Sequence, residues 1–151
     1  MPRKTAAALR LDALCRSHLR GYRRQPSRLS PHTLRQAARF EAERGLSIRQ
    51  LEDAVHCWQA FVRRPGWPLY LPEPHLPGYD IWDDRLLIER AIGALDRRAA
   101  REIASIVKDA DADFLARTLP NPHAPRAWPW WRRRCQDLGD IMHVPSQTNA
   151  Q

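Results

Sequence analysis

The sequence predicts an all-α fold, a single compact domain of five or six short helices joined by proline-rich loops. Three observations predict it. Apolar residues recur at helical rather than alternating spacing. Helix start and stop signals bracket those stretches. The 13 prolines gather between them, where a missing N–H and a fixed φ exclude helix interior. With 151 residues, 43% hydrophobic and 28% charged, the chain is long enough to bury a core and too apolar for wholesale disorder.

The first helix is expected over residues 5–24. Leu11, Leu14, Cys15, His18, Leu19 and Tyr22 share one face. At about 100° per residue, Arg16, Arg20, Arg23 and Arg24 lie on the opposite one. A second helix begins at Ser30-Pro31, an N-cap followed by proline at the first helical position, and ends near Gly45. Its inward face is Leu34, Ala37, Ala38 and Phe40.

The third helix has the clearest start. Ser47 and Gln50 are spaced for a capping box, and Leu46 and Leu51 for a hydrophobic staple. Ile48, Leu51, Val55, Trp58 and Val62 line its face, with Ala54 and Phe61 beside them, until Pro65-Gly66 stops it. Residues 65–79 hold five prolines and read as a stiff, extended connector. Pro65-x-x-Pro68 and Pro74-x-x-Pro77 superficially suit domains that read polyproline, but Trp67, Leu69, Tyr70 and Leu71 point to packing across the helices.

A fourth helix follows over about residues 80–94, with Ile88, Ala91, Ile92 and Leu95 inward. Asp96 caps a fifth, built on Ala99, Ile103, Ile106, Val107 and Ala110. Asp109, Asp111 and Asp113 have the alternation of a calcium loop, but Phe114 stands where its glycine belongs and no closing glutamate follows. They read better as the cap of a short turn of helix over residues 114–119. Pro129 opens a last short helix through Leu138, stopped by Gly139, and the chain should fray beyond Val144. This gives a helical domain over residues 1–144 and a tail over 145–151.

Charge is uneven along that domain. Residues 1–64 carry 14 Lys/Arg against 5 Asp/Glu, net +9; residues 65–125 carry 7 against 10, net −3; residues 126–151 carry 4 against 2, net +2. The domain therefore divides into a basic half over 1–64, the connector, an acidic helical half over 80–120 and a Trp/Pro/Arg segment over 121–138. An acidic partner, nucleic acid or protein, fits such a map, although 23 of the 25 basic residues are arginine, as codon bias alone would produce.

Two stretches resemble DNA-binding helix-turn-helix proteins. Gly45 to Val55 looks like the opening of such a motif, but His56 to Phe61 continue the helix with no turn residue. Ile88 to Ile103, with its corner at Leu95-Asp96-Arg97-Arg98, resembles the start of sigma-factor DNA-binding regions, and departs where acidic residues follow. Neither resemblance carries site residues over.

Candidate binding residues come from chemistry instead. Arg16, Arg20, Arg23, Arg24 and Arg28 would align guanidinium forks suited to phosphate. Arg132, Arg133 and Arg134 follow Trp128, Trp130 and Trp131. Indoles beside guanidiniums can stack on bases of single strands, sit at a membrane interface, or fold onto the core and leave the arginines wet. The last is favoured, and the three tryptophans are also the candidates for apolar contact with a partner. No glycine-rich phosphate loop, nucleophile elbow or metalloprotease motif is present, and Cys15-x-x-His18 is half a zinc spacing with no second pair. Neither cofactor nor metal is therefore expected.

No apolar run is long enough to cross a membrane and no secretory signal stands at residues 1–10, so a cytoplasmic protein with three reduced cysteines is expected. The expected function is non-enzymatic nucleic-acid binding through an arginine-rich helix face. The alternative is an interaction or assembly subunit docking an acidic protein surface. DNA or RNA preference and oligomeric state stay open.

Overall fold

The computed structural model describes residues 27–66, 69, 71 and 81–136. The helix expected over 5–24, with Cys15, His18 and Arg16 to Arg24, lies outside them, as do most of the connector and the chain beyond residue 136.

Four α-helices stand among the described residues: α1 (Pro31–Glu43), α2 (Gln50–Val62), α3 (Ile81–Ala94) and α4 (Arg97–Ala116). The fold is mostly helical, as expected. Ser30 caps α1, its hydroxyl accepting from Thr33 N–H. Gly45, at φ 64°, closes α1 in a Schellman turn: Leu46 N–H reaches Glu41 O at 2.9 Å and Gly45 N–H reaches Ala42 O at 3.3 Å. Asp96 caps α4, accepting from Arg98 and Ala99 N–H at 3.1 and 2.9 Å.

Several expectations are corrected. The capping box of α2 is half formed: Gln50 Oε1 accepts Ser47 N–H at 2.9 Å, but Gln50 N–H goes to the backbone carbonyl of Ser47 rather than its hydroxyl. Arg49, left-handed at φ 65°, starts the helix two residues later than expected. Ile48 consequently sits in the turn, 88% exposed, instead of on the apolar face. In α1, Ala38 faces solvent, and Thr33 and Glu41 are buried beside Ala37 and Phe40.

The fifth expected helix does not stop before the aspartates. Residues 109–113 and Phe114 continue α4 without interruption, because Val107, Ala110 and Phe114 extend the inward stripe begun by Ala99 and Ile103. Of the expected last helix, the described residues form a 3₁₀ turn, Trp130–Arg133. Arg134–Cys135 then leaves it as a strand, pairing antiparallel with Leu119–Pro120.

One hydrophobic cluster takes side chains from all four helices, from Leu29 and Leu69, and from Trp131. At its centre Phe114 meets Trp58, Trp82 and Trp130 at ring-centroid distances of 5.0, 6.1 and 6.0 Å, and Trp130 passes the contact to Trp131 edge-on at 5.6 Å. Each such aromatic pair adds about 0.5–1.5 kcal/mol beyond area burial. The buried Leu69 and half-buried Leu71 show that the connector packs against this core at those two points.

Candidate nucleic-acid interface

The site is defined by which charges the fold uses internally and which it leaves outside. A helix N-terminus presents unpaired N–H groups and a partial positive charge, and three carboxylates answer this need. Glu41, buried on α1, accepts Arg49 N–H at 2.9 Å and Leu51 N–H at 2.8 Å, capping α2 from the preceding helix. Glu102 of α4 caps α1 from across the core. It accepts Ser30 N–H at 2.6 Å, the Ser30 hydroxyl at 2.7 Å and the Thr33 hydroxyl. The Thr33 hydrogen bond, with those from Ser30, holds the Glu102 carboxyl below its ordinary range. Asp96 is likewise lowered, first by Ala99 N–H and further by His32 Nε2 at 2.7 Å.

Arginines serve the opposite ends. Arg117 donates to the carbonyls of Val62, Arg64 and Gly66, closing the C-terminus of α2. Arg134 donates through Nε to the Thr118 hydroxyl at 3.0 Å, and through Nη2 to the carbonyls of Leu115, in the last turn of α4, and Thr118, just past it. Burial holds its pKa below the ordinary arginine value. Arg134, expected as a binding residue, is thus engaged in holding the fold.

Arg85 is buried outright. Its guanidinium forks onto Asp111 (Nε–Oδ1 3.1 Å, Nη2–Oδ2 2.9 Å), reaches Glu89 at 2.9 Å, and lies 4.6 Å from the ring centroid of Trp131. Asp111 Oδ1 also accepts the Trp58 indole N–H at 2.8 Å. An aspartate that suggested a calcium loop is instead the counterion of a buried arginine.

With these carboxylates turned to internal work, the outward face of α4 is basic. Arg97, Arg98, Arg101 and Lys108 are exposed, and among the described residues none of them forms an ion pair. They fall within an arc of about 100° opposite the buried stripe of Ala99, Ile103, Val107, Ala110 and Phe114, and run about 16 Å along the helix. Asp109 lies just beyond the edge of this arc, and Asp113 about 40° further toward the buried stripe. They line a cleft of about 220 Å³ with Arg28, Gln59, Arg63, Ser105, Ile106 and Ala110. Two arginines facing two aspartates give that cleft no single-sign field.

No protein-family model, curated protein or solved structure matches this chain.

The sequence-derived candidates separate as follows. Arg16, Arg20, Arg23 and Arg24 lie outside the described residues. Arg28 is exposed at the cleft, and Arg133 is exposed. Arg132 is half-buried and reaches Asp83 at 3.5 Å. Of the tryptophans, Trp131 is buried, Trp130 half-buried and Trp128 48% exposed, so a segment read as one unit divides into anchor and surface. The stripe on α4 was missed because residues 65–125 sum to net −3; projecting residues 97–116 on a helical wheel would have found it. Among the described residues no group of three His, Cys, Asp or Glu side chains could hold a metal ion, and no helix is long and apolar enough to cross a membrane.

Proposed function

We propose that this chain is a non-enzymatic nucleic-acid-binding protein that engages the phosphate backbone through two basic surfaces. One is the row Arg16, Arg20, Arg23 and Arg24, continued by Arg28. The other is the outward face of α4. The single observation that supports this reading most is the sorting of charge on α4. Glu102 and Asp111 point inward to partners, while Arg97, Arg98, Arg101 and Lys108 are exposed and form no ion pair among the described residues. A row of guanidiniums and an ammonium about 16 Å long can follow a phosphate chain without reading bases.

A second reading, an assembly subunit docking an acidic protein, is favoured by Ile48, which is 88% exposed between Arg44 and Arg49. One purification separates the two. At moderate salt the nucleic-acid reading expects material with a raised 260/280 nm absorbance ratio that falls on nuclease treatment or in high salt. Replacing Arg16, Arg20, Arg23 and Arg24 together with Gln should sharply reduce the retained nucleic acid without changing helix content. Protein that is free of nucleic acid and carries one defined acidic polypeptide would favour the second reading.

A further inference from the structure

The hydrogen bonds of residues 119–135 give Trp128 a setting that its sequence neighbours Trp130 and Trp131 do not share. The segment is a loop pinned at both ends. Leu119 pairs with Cys135 and Pro120 with Arg134, and Asn121 N–H reaches Arg133 O at 3.0 Å. Trp131 is sunk in the core. Between these anchors the chain makes successive tight turns, closed by Ala124 N–H on Asn121 O at 3.2 Å, Trp128 N–H on Pro125 O at 3.0 Å and Arg132 N–H on Pro129 O at 3.0 Å. Hydrogen-bonded turns thus hold the backbone on both sides of Trp128, yet the residue is 48% exposed.

Covering an exposed indole removes more apolar area from water than covering any other side chain. The charge around it names the partner. Between Asp113 and Asp137 the sequence has five arginines and no Asp or Glu. Arg117 and Arg134 are engaged on helix ends and Arg132 reaches Asp83, whereas Arg126 and Arg133 are exposed and form no ion pair among the described residues. An exposed indole with exposed arginines two residues before it and five after it is complementary to a base with its flanking phosphates. A paired base does not expose its face, but an unpaired one does.

We propose that Trp128 is a stacking platform for an unpaired base of single-stranded nucleic acid, with Arg126 and Arg133 taking the adjacent phosphates. The proposal rests on the nucleic-acid reading above and adds the strand state to it.

The test uses the full chain and fluorescence polarisation with three labelled probes: a 15-nucleotide oligo-dT, a 15-nucleotide oligo-U and a 15-base-pair DNA duplex. Trp128→Ala should weaken binding to one or both single strands between about 5-fold and 150-fold, the range of one base–aromatic stack, and leave duplex affinity unchanged. Trp128→Phe should keep most of the affinity. Circular dichroism of Trp128→Ala should match the parent, since the side chain carries little of the core. Equal loss on duplex and single strands, or no loss on either, would overturn the platform while leaving the nucleic-acid reading in place. A parent protein that binds none of the three probes would overturn both.

Discussion

At the scale of single residues, the buried charges are the points of greatest sensitivity. Arg85 is neutralised by Asp111 and covered by Trp131. Removing one partner of a buried pair costs about 3–5 kcal/mol where the other charge is left alone, whereas replacing both with apolar residues of similar size is often near neutral. Glu89 still reaches Arg85, which puts the loss of Asp111 at the low end, about 3 kcal/mol. Asp111→Leu should therefore lower the free energy of urea unfolding by about that amount, and Arg85→Met added to it should recover most of the loss. A double variant no more stable than Asp111→Leu would show that the guanidinium stays hydrated. Glu41 is the second such point. Its two oxygens each accept a backbone N–H at the start of α2, so Glu41→Ala should cost about 2–3 kcal/mol by the same measurement. Nothing in the local sequence reveals that role, because the residues it caps lie eight and ten positions further on.

At the scale of elements, α1 is held to α4 by carboxylates whose titration gives the fold a pH dependence. Glu102 and Asp96 are both lowered in the folded chain, chiefly by hydrogen bonds from Thr33 and Ala99 respectively. A lowered carboxylate contributes stability that is present above its unfolded value, about 4.3 for Glu and 3.9 for Asp. That contribution is lost as pH falls through the folded value. Burial, helped by the charge of Arg63, lowers His56 as well. The unfolded chain then takes up a proton first as pH drops below about 6.5, which also favours unfolding. The melting temperature should accordingly decline gently below about pH 6.5 and steeply below about pH 4. Glu102→Gln should be less stable at pH 7 and lose less on acidification; a parallel pH profile would place the acid sensitivity elsewhere. Most of the elements themselves were legible. Ser30, Gly45, Asp96 and the inward stripes each carry a local signal, and α1, α2, α3 and α4 stand near where these place them. What was not legible depended on distant contacts. The aspartates of residues 109–113 read as the cap of a separate short helix, whereas they lie within α4 and Asp111 meets Trp58 and Arg85 from two other helices.

At the scale of the whole molecule, a formal net charge of +8 understates how basic the exterior of α4 is. Charge summed along the chain is blind to direction, so residues 65–125 read as acidic while their outward helix face is positive. The same blindness exaggerated the last arginine cluster, where Arg134 faces inward to carbonyls and Arg132 toward Asp83. The candidate site was thus only partly readable in advance. Arg28, Arg133 and Trp128 keep the exposure a binding residue needs, and the stripe on α4 emerges only when its inward carboxylates are set aside.

The most direct measurement is the salt dependence of nucleic-acid affinity, read by fluorescence polarisation between low and moderate potassium chloride. Each phosphate contact contributes about 0.7–0.9 to the negative slope of log affinity against log salt. The parent should bind with a steep slope, and Arg97→Gln/Arg101→Gln/Lys108→Gln should flatten it by about 2 to 3. A slope that is shallow in the parent, or unchanged in that variant, would contradict the account.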